Sequence, residues 1–311
     1  MPKENELEHS SPWVVFKRSQ TLHLKRNFNI HVPTLAGPTT WSDEFYQCGY
    51  RIQKSHVTGH HRVLNGADFR VFWGTYDECM NELNLRLQIE PKVPEREHLV
   101  LCLHGIFRSK RSMHPMQNHL RDCGFEGAAI NYPSTLRSIE EHAQQIARLL
   151  SRNKQYSRVS FVCHSMGGLV VRALLADRSA TWRKSITPSR LVMIATPNQG
   201  AFLADELSKT WAFRAIAGPA GKQLTAEWVA NLPTPDIEFG VIAGGKGDGK
   251  GFNPILKGDD DLTVSVESTL LDGYSDFLRV PAIHTFIIRK PAVLAATAKF
   301  LTSGRFASPN E

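Results

Sequence analysis

Residues 159–169 read Val159-Ser160-Phe161-Val162-Cys163-His164-Ser165-Met166-Gly167-Gly168-Leu169. A short apolar run, Val159 to Val162, gives way to a serine and two glycines, then to a helical run from Leu169 to Arg178. The pattern predicts a buried strand, a very tight turn with a serine at its apex, and a helix. Such a turn lifts Ser165 Oγ above the sheet edge, beside a helix N-terminus with unpaired backbone N–H groups. The spacing is that of the nucleophile elbow, G-x-S-x-G, with one change: Cys163 stands where the first glycine is usual. The elbow brings the residues two before and two after the serine into contact, so both must be small. Gly167 meets that fully, and Cys163 is small but carries a Cβ. The same stretch read blandly is a glycine-rich strand–helix turn with a structural serine.

A second stretch separates the two readings. Leu99-Val100-Leu101-Cys102-Leu103 is continuously apolar, the pattern of a strand buried on both faces of a parallel sheet. It runs into His104-Gly105-Ile106-Phe107-Arg108. Acyl transfer develops negative charge on a carbonyl oxygen, and a preorganised N–H donor aimed at it is worth roughly 10²–10³ in rate. A His-Gly turn after an early strand is where one donor is expected, here the N–H of Ile106. The other is expected from Met166, at the start of the elbow helix. His104, Gly105 and Gly167 are expected to shape the two turns.

A serine nucleophile needs a histidine base and a carboxylate to orient it, in the chain order serine, acid, histidine. Past Ser165 come Asp259-Asp260-Asp261-Leu262-Thr263-Val264 and then Ile283-His284-Thr285-Phe286. The chain has 13 histidines, so a lone one is weak evidence; the order is what singles out Asp261 and His284.

These motifs resemble the α/β-hydrolase serine esterases and lipases, and most of all small bacterial lipase-like hydrolases of unassigned substrate. The resemblance runs through Leu103–Arg108, Arg111–Met113, Asn131–Ser134, Val162–Arg172, Ala195–Gly200, Asp261–Thr269, His284–Phe286 and Phe300–Phe306, in order, over roughly residues 96–306. It implies a mostly parallel central sheet flanked by helices. It also implies a Ser165-Asp261-His284 triad, an oxyanion hole at Ile106 and Met166, and no cofactor or metal. The acidic motif of the resembled enzymes reads Asp-Gly-x-Val; here Leu262 replaces the glycine, and aligning Thr263-Val264 picks Asp261 from the three aspartates.

Strands are expected at 98–103, 127–131, 158–163, 190–195, 239–243 and 283–288. Met113, Met116, Leu120 and Cys123 share one helix face. Ile139, Ala143, Ile146, Ala147 and Leu150 share another, behind a Ser138–Glu141 capping box. Alternating strands and helices give an α/β fold. Residues 200–235, with Trp211, Phe213 and Trp228, interrupt the rhythm and read as a cap over the site or as an excursion with its own small core. Residues 1–95 form an N-terminal extension ahead of a catalytic domain over 96–311. Asn65-Gly66 marks a hairpin between 57–64 and 69–73, and Thr75 and Glu78 box a helix carrying Tyr76, Cys79, Met80, Leu83 and Leu87. Residues 33–38 read as a loop and 89–97 as a linker. The extension supplies early strands of the main sheet or stands apart as an appendage.

At 311 residues and 41% hydrophobic, the chain can bury a large core. Five scattered cysteines argue for buried thiols in a reducing compartment, and no signal peptide or membrane-length apolar run is visible, so a cytoplasmic location is expected. The net charge of +7 is spread out, with no nucleic-acid motif. It is compatible with weak contact to an anionic membrane surface. His56, His60 and His61 lack a helix and carboxylate partners, so no metal is expected. Gly244 to Gly251 falls short of a P-loop, lacking its Ser or Thr, and reads as a flexible loop. The expected activity is hydrolysis of a small-molecule or lipid ester through an acyl-enzyme. A thioesterase, an acyltransferase, and a non-catalytic binding module on the same scaffold remain as rivals. Oligomeric state is not legible.

Overall fold

The computed structural model describes residues 37–89, 97–202 and 211–306. A four-stranded antiparallel sheet comes first: β1 (Trp41–Gln47), β2 (Tyr50–Ser55), β3 (His61–Leu64) and β4 (Arg70–Gly74), in that order. Helix α1 (Tyr76–Ile89) packs on it, burying Cys79 and Leu83 against Phe45, Ile52 and Val63. The expected Thr75–Glu78 box forms, with Thr75 N–H donating to Glu78 Oε2 at 2.9 Å. The hairpin at Asn65-Gly66 is looser than a two-residue turn: Asn65 Oδ1 accepts the N–H groups of Ala67 and Phe69, and Asp68 turns left-handed at φ 64°. The extension is thus a separate sheet. The hairpin β1–β2, turning at Cys48-Gly49, is an addition to the sequence reading.

The main sheet has six parallel strands: β5 (His98–Leu103), β6 (Glu126–Ile130), β7 (Arg158–His164), β8 (Thr187–Ile194), β9 (Glu238–Gly245) and β10 (Asp276–Pro281). Their order is β10-β9-β8-β7-β5-β6. Strands β5 and β7 lie inside, and the period-2 alternation of β5 splits its side chains between two cores. Leu99, Leu101 and Leu103 join α3 (Ile139–Arg152) and α4 (Met166–Ala176) on one face. Val100 and Cys102 join α2 (His114–Asp122) and α8 (Pro291–Ser303) on the other. Between β8 and β9 lie α5 (Trp211–Lys222) and α6 (Ala226–Val229); the short α7 (Val266–Thr269) precedes β10. Among the described residues no helix is long and apolar enough to cross a membrane.

Two expectations are corrected. Residues 283–288 are not a strand; they form a turn closing in a 3-10 turn at Ile287–Arg289, and β10 lies just before them. Ile287 and Ile288 are buried as that turn's underside, which gives an apolar run without a strand. Strand β10 sits at the sheet edge, half-buried with Arg279 exposed, so its apolar signal is weak. Cys123 lies past the end of α2 and is exposed, unlike Met113, Met116 and Leu120. The linker at 90–96 falls outside the described residues.

The small sheet docks on the edge strand β6 and its exit through buried polar groups. Arg51 Nη1 donates to Asp43 Oδ2 at 2.8 Å and to the Ala129 carbonyl at 2.9 Å. The Asp43 carboxylate also accepts from Asn131 N–H at 2.7 Å and Gln53 Nε2 at 2.7 Å. Both oxygens of the Asp43 carboxylate are thus engaged, three hydrogen bonds offsetting the cost of burying the charge. Asp43→Ala should leave the buried Arg51 guanidinium with only the more distant Asp68 carboxylate, 3.8 Å from its Nε, lowering unfolding free energy by about 3 kcal/mol. Arg137→Gln, which breaks an exposed i,i+4 pair with Glu141, should lower it by less than about 0.5 kcal/mol. Equal urea midpoints for the two variants would refute the assignment.

Candidate active site

Strand β7 ends at His164, and Ser165 turns the chain into α4 at φ 54° and ψ −128°. A non-glycine residue there is strained and has to be held by its surroundings. Ser165 N–H donates to the Ile194 carbonyl at 2.9 Å, and the Ser165 carbonyl accepts from Gly168 N–H and Thr196 Oγ1, each at 3.0 Å. Close approach dictates both glycines. A Cβ on Gly167 would lie 2.7 Å from the Leu103 carbonyl oxygen and 2.9 Å from that of His104. On Gly168 it would lie 2.2 Å from Thr196 Oγ1. Cys163 is accommodated one step earlier in the buried strand; burial raises its thiol well above the usual range, so it stays neutral.

The turn after β5 faces the elbow. A Cβ on Gly105 would lie 2.9 Å from Ser165 Cβ and 3.3 Å from its Oγ. Ile106 is half-buried against the larger core, and Phe107 takes φ 58° with its ring half-exposed. His104 is fixed beneath the turn. Its Nδ1–H donates to the Gly105 carbonyl at 2.8 Å, the Tyr132 hydroxyl donates to its carbonyl, and the two rings stack at 4.1 Å and 8°. Burial lowers the His104 pKa to about 4, so it is neutral near pH 7. Met166 is the first residue of α4, so its N–H belongs to the first turn, where donors lack helical partners.

The three aspartates are sorted by their partners. Asp259 accepts from Lys246 and Gly247 N–H at 2.6 and 3.0 Å, tying down the glycine-rich loop, and pairs with Arg279 at 3.3 Å. Asp260 accepts from Asn253 N–H at 3.0 Å and Leu262 N–H at 2.7 Å. Asp261 accepts from Thr263 and Val264 N–H through Oδ1, and its Oδ2 meets His284 Nδ1 at 2.7 Å. Asp261 is fully buried, and its carbonyl also accepts the His284 N–H at 2.8 Å. A carboxylate only accepts, so Nδ1 of His284 carries the proton and Nε2 the lone pair. Leu262 has φ 83°, the conformation that glycine adopts freely, and its exposed side chain extends from a turn that needs it.

His164 joins this pair to the elbow, a role the sequence reading did not assign it. Its ring packs on His284 at 4.7 Å and 44°, and Nε2–H donates to the His284 carbonyl at 3.0 Å. Burial, with His284 close by, holds the His164 pKa well below the usual range. Its place directly before Ser165 was the available signal. Arg108 adds a second tie, Nη2 donating to Thr285 Oγ1 at 2.8 Å. Ser165, Gly105, Asp261 and His284 thus come together from four loops at the C-terminal ends of the parallel strands, where open α/β sheets bind ligands.

The described parts of the insertion at 200–235 pack back onto the body. Ala201, Ala220, Leu224 and Val229 are buried in the larger core, with Trp228 half-buried against it. Gln223 Oε1 accepts the Ile139 N–H at 2.7 Å. Residues 203–210 and the side chains of Trp211 and Phe213 lie outside the described part. Among the described residues no group of three or more His, Cys, Asp and Glu side chains could hold a metal ion. His56 meets Ser42, His60 meets Thr58, and His61 packs on Tyr76.

A family model described as a domain of unknown function, DUF7379, matches residues 80–213. No curated protein matches the chain. Among solved structures, the mature form of the lipase BlEst2 of Bacillus licheniformis is similar, with TM-score 0.53 and 20% identity over 68% of this chain and 95% of that one. The propeptide form of that lipase gives TM-score 0.57 and 21% identity over 71% of this chain; the match spans 53% of the propeptide form. A metagenomic carboxyl esterase gives TM-score 0.53 and 14% identity over 68% of this chain and 77% of that one. The fold is the α/β-hydrolase fold, with an antiparallel sheet added at its N-terminal side.

Buried neutral histidines make the stability of this site sensitive to acid. Burial lowers His104 to about 4 and His142, whose ring lies 4.8 Å from that of Tyr132, to about 3. Both would titrate near 6.5 when unfolded. Between these values the unfolded chain holds more protons, so stability rises with pH, by up to about 1.4 kcal/mol per unit for each histidine. Urea midpoints should therefore fall steadily from pH 6.5 to 4.5; a flat profile would contradict the neutral stack.

Proposed function

We propose that this chain is a serine hydrolase that cleaves carboxylic esters. The observation that carries the reading is the buried Asp261 carboxylate on His284 Nδ1 at 2.7 Å, with His284 packed beside the residue preceding Ser165. With Nδ1–H engaged, Nε2 is the free base. In this reading His284 Nε2 takes the proton of Ser165 Oγ as the oxygen attacks the ester carbonyl. The oxyanion is met by the N–H groups of Ile106 and Met166. The protonated imidazole then gives its proton to the leaving alkoxide, and the alcohol departs from an acyl-enzyme. Water, activated by the same nitrogen, restores Ser165. Asp261 orients the ring and stabilises the imidazolium. Neutral His104 and His164 support the reading, since a second cation beside His284 would oppose its protonation.

A fluorophosphonate probe should label wild-type protein at Ser165. Ser165→Ala should remain folded, lose the label, and fall in ester turnover by on the order of 10⁶. Asp261→Asn should cost about 10⁴ in kcat, far more than Asp259→Asn or Asp260→Asn, whose carboxylates serve loop N–H groups. Unlabelled wild type would leave the binding-module reading, and damage centred on Asp260 would move the acid by one residue.

The substrate class follows from the insertion. We propose that the described parts of this insertion border an acyl groove, because Ala201, Ala220, Leu224 and Val229 share a core with Ile106. Each buried CH₂ contributes about 0.8 kcal/mol, so kcat/KM for p-nitrophenyl esters should rise from acetyl to octanoyl. A flat or falling series removes the groove while leaving the triad in place.

A further inference from the structure

The edge of the parallel sheet on which the candidate active site opens carries large apolar side chains in water. Phe107 follows β5, Ile255 and Leu262 follow β9, and Phe286 follows β10; each is between 42% and 67% exposed. From residue 97 onward, Tyr274 is the one exposed large apolar side chain, among the described residues, in a loop leading into a strand. The others follow the C-terminal ends of strands or lie on α5. Hydrogen bonds tie the turns that bear the four anchors into one surface. Arg108 Nη2 donates to Thr285 Oγ1 at 2.8 Å, joining the turns of Phe107 and Phe286. His284 N–H donates to the Asp261 carbonyl at 2.8 Å, which sets Leu262 beside the same turn. Asn253 Nδ2 donates to the Leu262 carbonyl at 3.0 Å, and its Oδ1 accepts the Ile255 N–H at 3.0 Å. Leu262 is costly on two counts: it is exposed, and φ 83° strains any residue but glycine. The same turns carry Arg108, Lys257, Arg289 and Lys290, all exposed and without a carboxylate partner among the described residues. The acids of these loops are engaged or buried. Asp248 pairs with Lys246 at 2.7 Å and Asp259 with Arg279 at 3.3 Å, while Asp260 and Asp261 are fully buried. Glu267, on α7, is the exposed acid left to set against the four cations.

We infer that this edge docks on an anionic lipid surface, with Phe107, Ile255, Leu262 and Phe286 entering the interface and the four cations meeting its phosphates. A contiguous exposed apolar patch marks a contact surface. Apolar anchors among uncompensated cations fit a layer that is apolar within and negative at its surface. A second copy of this chain answers the apolar groups only. A two-fold contact joins a face to itself, and here it would set the cations against their own like. The inference does not rest on the esterase reading, because it uses neither Ser165 nor the free nitrogen of His284.

Co-sedimentation of the full chain with vesicles tests this, using phosphatidylcholine alone and an equal mixture of phosphatidylcholine and phosphatidylglycerol. Capture by the anionic vesicles is expected, with little by the neutral ones, and it should fall as salt is raised to about 0.5 M. A cation near such a surface contributes about fivefold in partition, so Lys257→Gln/Lys290→Gln should weaken capture by roughly tenfold or more. Ile255→Ser/Leu262→Gly should also weaken it by roughly tenfold, through lost apolar contact. Its melting temperature should hold, since glycine is unstrained at φ 83°. Tyr274→Ser, at the opposite end of the sheet, should bind as wild type. Ser165→Ala should do the same, which separates this result from any outcome for hydrolysis. No capture by anionic vesicles at low salt, equal capture by neutral ones, or capture indifferent to both double variants overturns the proposal. A dimer in sedimentation velocity that Ile255→Ser/Leu262→Gly dissociates would give the face to a second copy, and overturns it too.

Discussion

The contact on which the site depends is the one between the start of α4 and the carbonyl oxygens of Leu103 and His104. With a Cβ-to-oxygen distance of 2.7 Å, nothing larger than glycine fits at position 167. That approach sets the height of Ser165 above the sheet, and the parallel register of β5 on β7, Leu103 opposite Cys163, sets its lateral place. Thr196, at the end of β8, closes the third side by holding the Ser165 carbonyl. A backbone strained at φ 54° survives because the two neighbouring strands, β5 and β8, determine it.

Around this turn the protein separates neutral imidazoles from a single imidazole with a carboxylate. His104 and His164 are buried, and desolvation keeps them uncharged. His284 alone among these three meets an aspartate side chain, Asp261. The neutral rings serve as donors to backbone carbonyls and as packing surface, so they shape the turns without adding charge. In the proposed reading, the free nitrogen of His284 is left as the site's base.

The added N-terminal sheet is tied to the far end of the same turn. Lys110, buried six residues after His104, pairs with Asp68 of the β3–β4 loop, and its N–H donates to Asn131 Oδ1 at 3.2 Å. Asn131 also donates to the Trp41 carbonyl at 2.6 Å and to the Asp43 carboxylate. The extension and the segment bearing Ile106 are therefore anchored to the same buried polar groups. Tyr132, next to Asn131, packs between His142 and His104.

The local chemistry of this chain is written in short stretches. The elbow around Ser165, the apolar strand into His104-Gly105, the Ser138–Glu141 box and five of the six parallel strands each follow from neighbours within a few residues, where sterics and periodicity act. The order of Ser165, Asp261 and His284 is likewise a property of the string. Which aspartate reaches the histidine is not, because Asp259, Asp260 and Asp261 are alike until the loop geometry gives each its own partners. Nor could the string separate an apolar turn from an edge strand at 276–288, since Ile287 and Ile288 are buried by packing that lies far away in sequence. The pairing of Asp43 with Arg51 and the docking of the first sheet on β6 exist only once distant segments meet. Burial and charge compensation are decided there, by three-dimensional neighbours, and no local pattern encodes them.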